Sequence, residues 1–223
     1  MSYVIAIDGI DGSGKKTQTD LLCSYYKSIG KKVTELSFPD YDDQSSTLVK
    51  MYLDGMFGNN PEDTSAYAAS IFFAVDRYAS FKRKWENEYK SDNAVILLNR
   101  YTTSNAVHQL SKIDDQNEKN AFLDWLWDLE FVKLGLPIPD ITIYLDMPLE
   151  VSLKLIQKRN LKKDIHELCE NHLEKSKKAA AFAAQKWGWE TILCGDSQKP
   201  FDIEHIHKLV VNAAETKRKQ TGK

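Results

Sequence analysis

Gly9-Ile10-Asp11-Gly12-Ser13-Gly14-Lys15 stands directly behind the apolar run Tyr3 to Asp8 and directly ahead of a stretch with helical spacing, Lys15 to Ile29. Strand, glycine-rich turn and helix in that order form the context in which G-x-x-x-x-G-K acts as a phosphate loop. A phosphate has to be met by several backbone N–H groups at once. Glycines let the backbone come close enough, and the helix N-terminus adds a favourable dipole. Lys15 then supplies a movable positive charge for the outer phosphates. A bare strand-to-helix turn would explain the glycines but not the lysine at this spacing, so Gly9, Gly12, Ser13, Gly14, Lys15, Lys16 and Thr17 are the candidate nucleotide-binding positions. The full signature has Ser or Thr after the lysine to reach Mg²⁺. This chain has Lys16 there and a threonine only at Thr17.

Such a loop belongs in a parallel sheet, and the remaining chain is patterned for one. Short aliphatic runs recur at Tyr3 to Asp8, Lys32 to Ser37, Ala94 to Leu98, Asp140 to Asp146 and Trp189 to Cys194. Between them lie helical spacings at Lys15 to Ile29, Thr64 to Lys90, Glu118 to Leu134, Leu149 to Arg159, Ile165 to Lys186 and Ile203 to Arg218. That alternation predicts βαβ units. Gly30 follows the first helix, and Gly135, Pro137 and Pro139 stop the third. The expected fold is therefore α/β, a three-layer α/β/α arrangement around a five-stranded parallel sheet, as one domain over 1–216 with a frayed tail at 217–223.

Net charge is -2 from 30 basic and 32 acidic residues, which excludes a broad basic face for nucleic acid and leaves a focal anion site. Three cysteines, Cys23, Cys169 and Cys194, fit a reduced compartment better than a disulfide framework. The opening apolar stretch is too short for a signal peptide or a membrane span, so a cytoplasmic location without membrane attachment is expected. Cys169-x-x-His172 and His205-x-His207 lack partners at ligand spacing and are read as solvent-facing helix positions, with no structural metal. Trp125, Trp127 and Phe131 are read as core or as a subunit contact.

Four segments together resemble the thymidylate kinase family of P-loop nucleoside-monophosphate kinases: Asp8 to Gln18, Ser37-Phe38-Pro39-Asp40-Tyr41, Phe73-Ala74-Val75-Asp76-Arg77-Tyr78, and Asn99-Arg100-Tyr101-Thr102-Thr103-Ser104-Asn105. The resemblance implies phosphorylation of dTMP to dTDP with ATP and Mg²⁺, for dTTP synthesis, by a protein that dimerises with its own kind. It implies that Phe73 stacks on the thymine and Arg77, one turn on, donates to its carbonyl. Arg100 would touch the acceptor phosphate, Asn105 and His108 would face base and sugar, and Phe38, Pro39 and Tyr41 would wall the pocket. Tyrosine is common in the family where His108 stands. Asp11 is placed near the sugar 3′-hydroxyl and is the one candidate near the metal, with no direct side-chain ligand assigned. Members whose loop lacks an arginine carry a catalytic cation in a lid, here expected at about 158–166 with Arg159 foremost; the set assigned to catalysis is Asp11, Lys15, Arg100 and Arg159. Asn99 replaces the family's usual Asp, keeping the shape and losing the charge. Two alternatives stay open: a kinase of this fold with another acceptor, such as dUMP or a deoxynucleoside, and a nucleotide-binding homologue without turnover.

Overall fold

The computed structural model describes residues 2–158 and 170–223. Five strands, β1 (Tyr3–Asp8), β2 (Lys32–Ser37), β3 (Ala94–Asn99), β4 (Ile141–Asp146) and β5 (Glu190–Leu193), form one sheet of order β2-β3-β1-β4-β5 in which every pairing is parallel. The helices are α1 (Lys15–Ser28), α2 (Thr47–Leu53), α3 (Ala66–Ser80), α4 (Glu86–Lys90), α5 (Thr102–His108), α6 (Gln116–Trp127), α7 (Leu149–Lys158), α8 (Glu170–Trp187) and α9 (Ile203–Thr221).

Both faces of the sheet are covered, which is why β1 and β3 read as unbroken apolar runs. Ile5, Ile7, Val95, Leu97, Ile143 and Leu145 pack against Leu22 and Tyr26 of α1 and Ile206, Val210 and Ala214 of α9. On the opposite face Val4, Ala6, Ile96 and Leu98 meet Phe38, Phe81, Trp85 and Tyr101. Truncating one such residue, as in Leu97→Ala, costs about 2–5 kcal/mol.

The long helical stretch expected over Thr64 to Lys90 is divided. Ser65 caps α3 by accepting from Ala68 N at 3.2 Å, and a π-type turn at Phe81–Trp85 leads into α4. The widened turn brings both Phe81 and Trp85 inward. The expected tail is also corrected. Helix α9 runs on to Thr221, where Gly222 takes a left-handed cap, and Lys223 reaches Asp140 at 2.7 Å and the Ser2 carbonyl at 3.1 Å.

Because β1 lies between β3 and β4, the connection from β3 to β4 crosses over it, and ligands bind at the carboxyl ends of strands beside such a crossing. Register brings the right residues there: Ile7 lies opposite Asn99, and Ser37 opposite Asn99 on the other side.

Candidate active site

The cradle follows β1 without a gap. Gly12 has φ +78°, and a Cβ there would stand 2.8 Å from the Ser152 carbonyl, so the position admits only glycine without strain. Lys15 is folded over the loop, its Nζ donating to the Gly9 and Ile10 carbonyls at 2.8 Å each and lying 3.9 Å from Asp11. Ser13 Oγ is buried without a hydrogen-bond partner among the described residues. The Lys16 side chain turns away from the cradle to pair with Asp20 and, at 3.3 Å, Glu35, and Thr17 is exposed. Both keep only their backbone places in the first turn of α1, whose amides face the loop.

Asp8, wholly buried, ties three parts of the site together. Its Oδ1 accepts from Gly9 N at 2.8 Å, and its Oδ2 accepts from Thr103 Oγ1 at 2.6 Å and Ser104 Oγ at 2.7 Å. The cradle and the first turn of α5 are thereby fixed to the same carboxylate.

Arg100 links β3 and α5 with a backbone φ of +66°, unusual for a residue with a side chain, held by its N–H bonded to Ile7 O at 3.0 Å. Its Nη2 donates to Asp11 of the loop, and its Nη1 lies 2.9 Å from His108 Nε2. Arginine only donates, so Nε2 accepts and the imidazole is neutral with its proton on Nδ1. Burial, then the Arg100 charge, push the His108 pKa well down, in agreement with that state. Behind His108 stacks His172 of α8, ring centroids 5.9 Å apart and 19° from parallel. His172 is 4% exposed, which corrects the expectation of a solvent-facing position: its ring closes the space beneath His108, and Ser111 Oγ lies 3.3 Å from the Nδ1 of His172.

Beside Arg100 opens a cavity lined by all nine expected acceptor residues, Asp11, Phe38, Pro39, Tyr41, Phe73, Arg77, Arg100, Asn105 and His108, together with Leu53, Ser104 and Gln109. Phe38-Pro39 is a cis peptide, and the following segment is held by Asp76, which accepts from Asp40 N at 2.9 Å and Ser45 Oγ at 2.6 Å. Phe73 packs edge-on to Tyr52, centroids 6.2 Å apart. Arg77 is 1% exposed and forms a fork with Glu130 at 2.7 and 2.6 Å. Gln109, also on the cavity wall, is buried with its Oε1 unpartnered among the described residues.

The sequence profile described as thymidylate kinase matches residues 7–210. The chain belongs to the thymidylate kinase family. It is accordingly an enzyme. The thymidylate kinase of Mycobacterium tuberculosis (strain H37Rv) is 28% identical over 205 residues, 88% of this chain and 93% of that one. The probable thymidylate kinase of Pyrococcus horikoshii is 29% identical over 168 residues, 75% and 76% of the two chains. Among solved structures, thymidylate kinase from Candida albicans superposes with a TM-score of 0.71 at 19% identity, over 97% of this chain and 92% of that one. The Ehrlichia chaffeensis enzyme gives 0.64 at 21% identity, over 95% and 98%. These two show that the fold is shared.

Against the thymidylate kinase pattern, the residues present fit a nucleotide's phosphates: a positive-φ cradle, an orphaned Ser13 hydroxyl and Lys15 within reach. For Mg²⁺ they offer less. Among the described residues no cluster of three or more His, Cys, Asp or Glu side chains could hold a metal. Asn99 donates from Nδ2 to Ser37 Oγ at 3.1 Å and leaves its buried Oδ1 without a partner among the described residues, suited to accept from a metal-bound water. The expected lid at 158–166 and its Arg159 fall, beyond Lys158, outside the described residues, as does Cys169. Asp8, Ser104, Gln109 and Glu130 escaped the reading of the sequence. Glu130 could have been found, because it is a carboxylate on the same helical stripe as Phe122, Leu123 and Leu126.

Proposed function

We propose that this chain transfers the γ-phosphoryl group of ATP to dTMP, with Mg²⁺, yielding dTDP and ADP for dTTP synthesis. An oxygen of the dTMP phosphate attacks the γ-phosphorus in line while the bond to the β,γ-bridging oxygen breaks, and no covalent protein intermediate is needed. Lys15 and the loop amides hold the donor. Arg100 holds the acceptor phosphate, Asp11 faces the sugar, Phe73 carries the base and Arg77 donates to it. Mg²⁺, held chiefly by phosphates and water with Asp11 and Asn99 at its edge, would neutralise charge on the donor. The role of Arg159 as a closing cation rests on the family resemblance. The reading is carried by one observation: Arg100 lines the acceptor cavity while bonded to Asp11 of the cradle, so the two phosphate sites share a border.

A cytoplasmic location is part of this reading; among the described residues no helix is long and apolar enough to cross a membrane. So is a homodimer, for which the outward stripe Ile71, Val75 and Tyr78 of α3, 40–47% exposed, is the surface favoured, with light scattering as its check.

The test is Mg²⁺-dependent ADP release with ATP and, in turn, dTMP, dUMP, thymidine and no acceptor. Turnover is expected with dTMP foremost. Preference for another acceptor reassigns the substrate, and dTMP binding with no turnover establishes the non-catalytic alternative that Lys16 and Asn99 motivate.

A further inference from the structure

Glu130 is a carboxylate with 0% of its surface exposed and no role in the reaction described above. It sits in the π-type turn Asp128–Lys133 that extends α6, pointing inward in line with Phe122, Leu123 and Leu126. Burying such a charge costs several kcal/mol unless partners match it. The partners come from two other helices and all belong to the wall of the acceptor cavity or the residues beside it. Arg77 of α3 donates Nε to Oε2 at 2.7 Å and Nη2 to Oε1 at 2.6 Å. From α5, Thr102 Oγ1 donates to Oε2 at 2.7 Å and Asn105 Nδ2 to Oε1 at 3.4 Å.

This arrangement limits what the pocket can offer a base. A guanidinium has five N–H groups. Glu130 takes two and the Tyr101 carbonyl, at 3.4 Å, a third, leaving two on a plane that the fork has fixed. Asn105 uses its Nδ2 inward, on Glu130 and on the Ser70 carbonyl at 3.3 Å, which leaves its Oδ1 to accept. The wall thus presents a donor beside an acceptor. A pyrimidine with a carbonyl at ring position 4 and N–H at position 3 matches that pair; one with an amino group at position 4 and bare nitrogen at position 3 opposes it.

We propose that Glu130 is a positioning residue which orients Arg77 and Asn105, and so sets the preference for a thymine- or uracil-type acceptor over a cytosine-type one. The proposal rests on the reading of this cavity as the dTMP site. It predicts an effect on acceptor recognition that loss of folded protein would not produce, because unfolding lowers kcat for every substrate and leaves KM unmoved.

The experiment is steady-state kinetics of wild type and Glu130→Gln with dTMP and dCMP at saturating ATP, with circular dichroism to confirm folding. The amide removes the charge and turns a donor toward the guanidinium. KM for dTMP is expected to rise about tenfold or more, as for loss of a hydrogen bond to a charged group. The KM for ATP should stay within about twofold of wild type, and the dTMP-over-dCMP ratio of kcat/KM should fall several-fold. A folded Glu130→Gln with unchanged KM for dTMP and unchanged ratio overturns the proposal while leaving the dTMP kinase reading intact. Absence of dTMP turnover in the wild type overturns both. Should Glu130→Gln not fold, Thr102→Val, which removes one donor and keeps the ion pair, should raise KM for dTMP about two- to fivefold, and no change in it counts equally against the proposal.

Discussion

Replacing His172 by phenylalanine should make the fold markedly less sensitive to acid. His172 is pushed down to about 4 from an ordinary 6.5, first by burial and then by the nearby Lys112 charge, against the opposing pull of Asp11 and Glu62; Lys175 adds a smaller downward push. Above pH 6.5 the ring is neutral in folded and unfolded chains alike, and its contribution to stability is fully present. As pH falls from 6.5 toward 4, the unfolded chain takes up a proton that the folded chain refuses, and that contribution is lost. Between pH 7 and pH 5 the loss works out at about 2 kcal/mol from this one residue. His108 shifts in the same direction, and because the two rings stack, a proton on either one opposes a proton on the other. His172→Phe keeps a ring in the stack and removes the titration. Urea unfolding of both proteins at pH 7 and pH 5, followed by circular dichroism, isolates the difference: the wild type should lose about 2 kcal/mol more than the variant. Equal losses would refute the argument and place the proton on another group.

Three further outcomes follow from the site. Asn99→Asp restores a charge where Oδ1 is orphaned and should raise the Mg²⁺-dependent rate and lower the Mg²⁺ needed for half-maximal turnover; an unchanged or lower rate in a Mg²⁺ titration shows that this oxygen does not serve the metal. Arg100→Lys cannot bridge Asp11 and His108 at once and should lower kcat/KM for dTMP about 10- to 100-fold, read from initial rates. Gly12→Ala brings a Cβ within 2.8 Å of the Ser152 carbonyl at a positive φ and should cost about 1–3 kcal/mol in thermal unfolding, together with weaker ATP binding by calorimetry.

What could be read in advance follows from how local each signal is. Strands β1 and β3 stood out because burial on both faces leaves unbroken apolar runs, and the cradle because glycines, lysine and flanking elements all lie within one short segment. The acceptor residues converged because four segments leave the carboxyl ends of adjacent strands or face them. Helices α2 and α5 escaped notice; each is only seven residues long, too short for a 3.6-residue period to show, although α5 carries Ser104, Asn105 and His108. Lys16 was placed by its position after Lys15, yet carboxylates on α1 and β2, far apart in sequence, decide where its side chain goes. His172 was read as exposed because nothing near it in the chain announces the ring of His108 beneath it. Asp8 looked like the end of a strand, since its partners Thr103 and Ser104 come nearly a hundred positions later.

That single carboxylate acts as a ruler. With Asp8 bound at once to the opening amide of the cradle and to the hydroxyls that begin α5, the gap between the donor and acceptor floors is inherited from the spacing of neighbouring strands, about 4.8 Å, and not from loops that flex. Changes on α3, or along the Phe38 to Tyr41 wall, can therefore alter which molecule is welcomed while the span a phosphoryl group must travel stays the same.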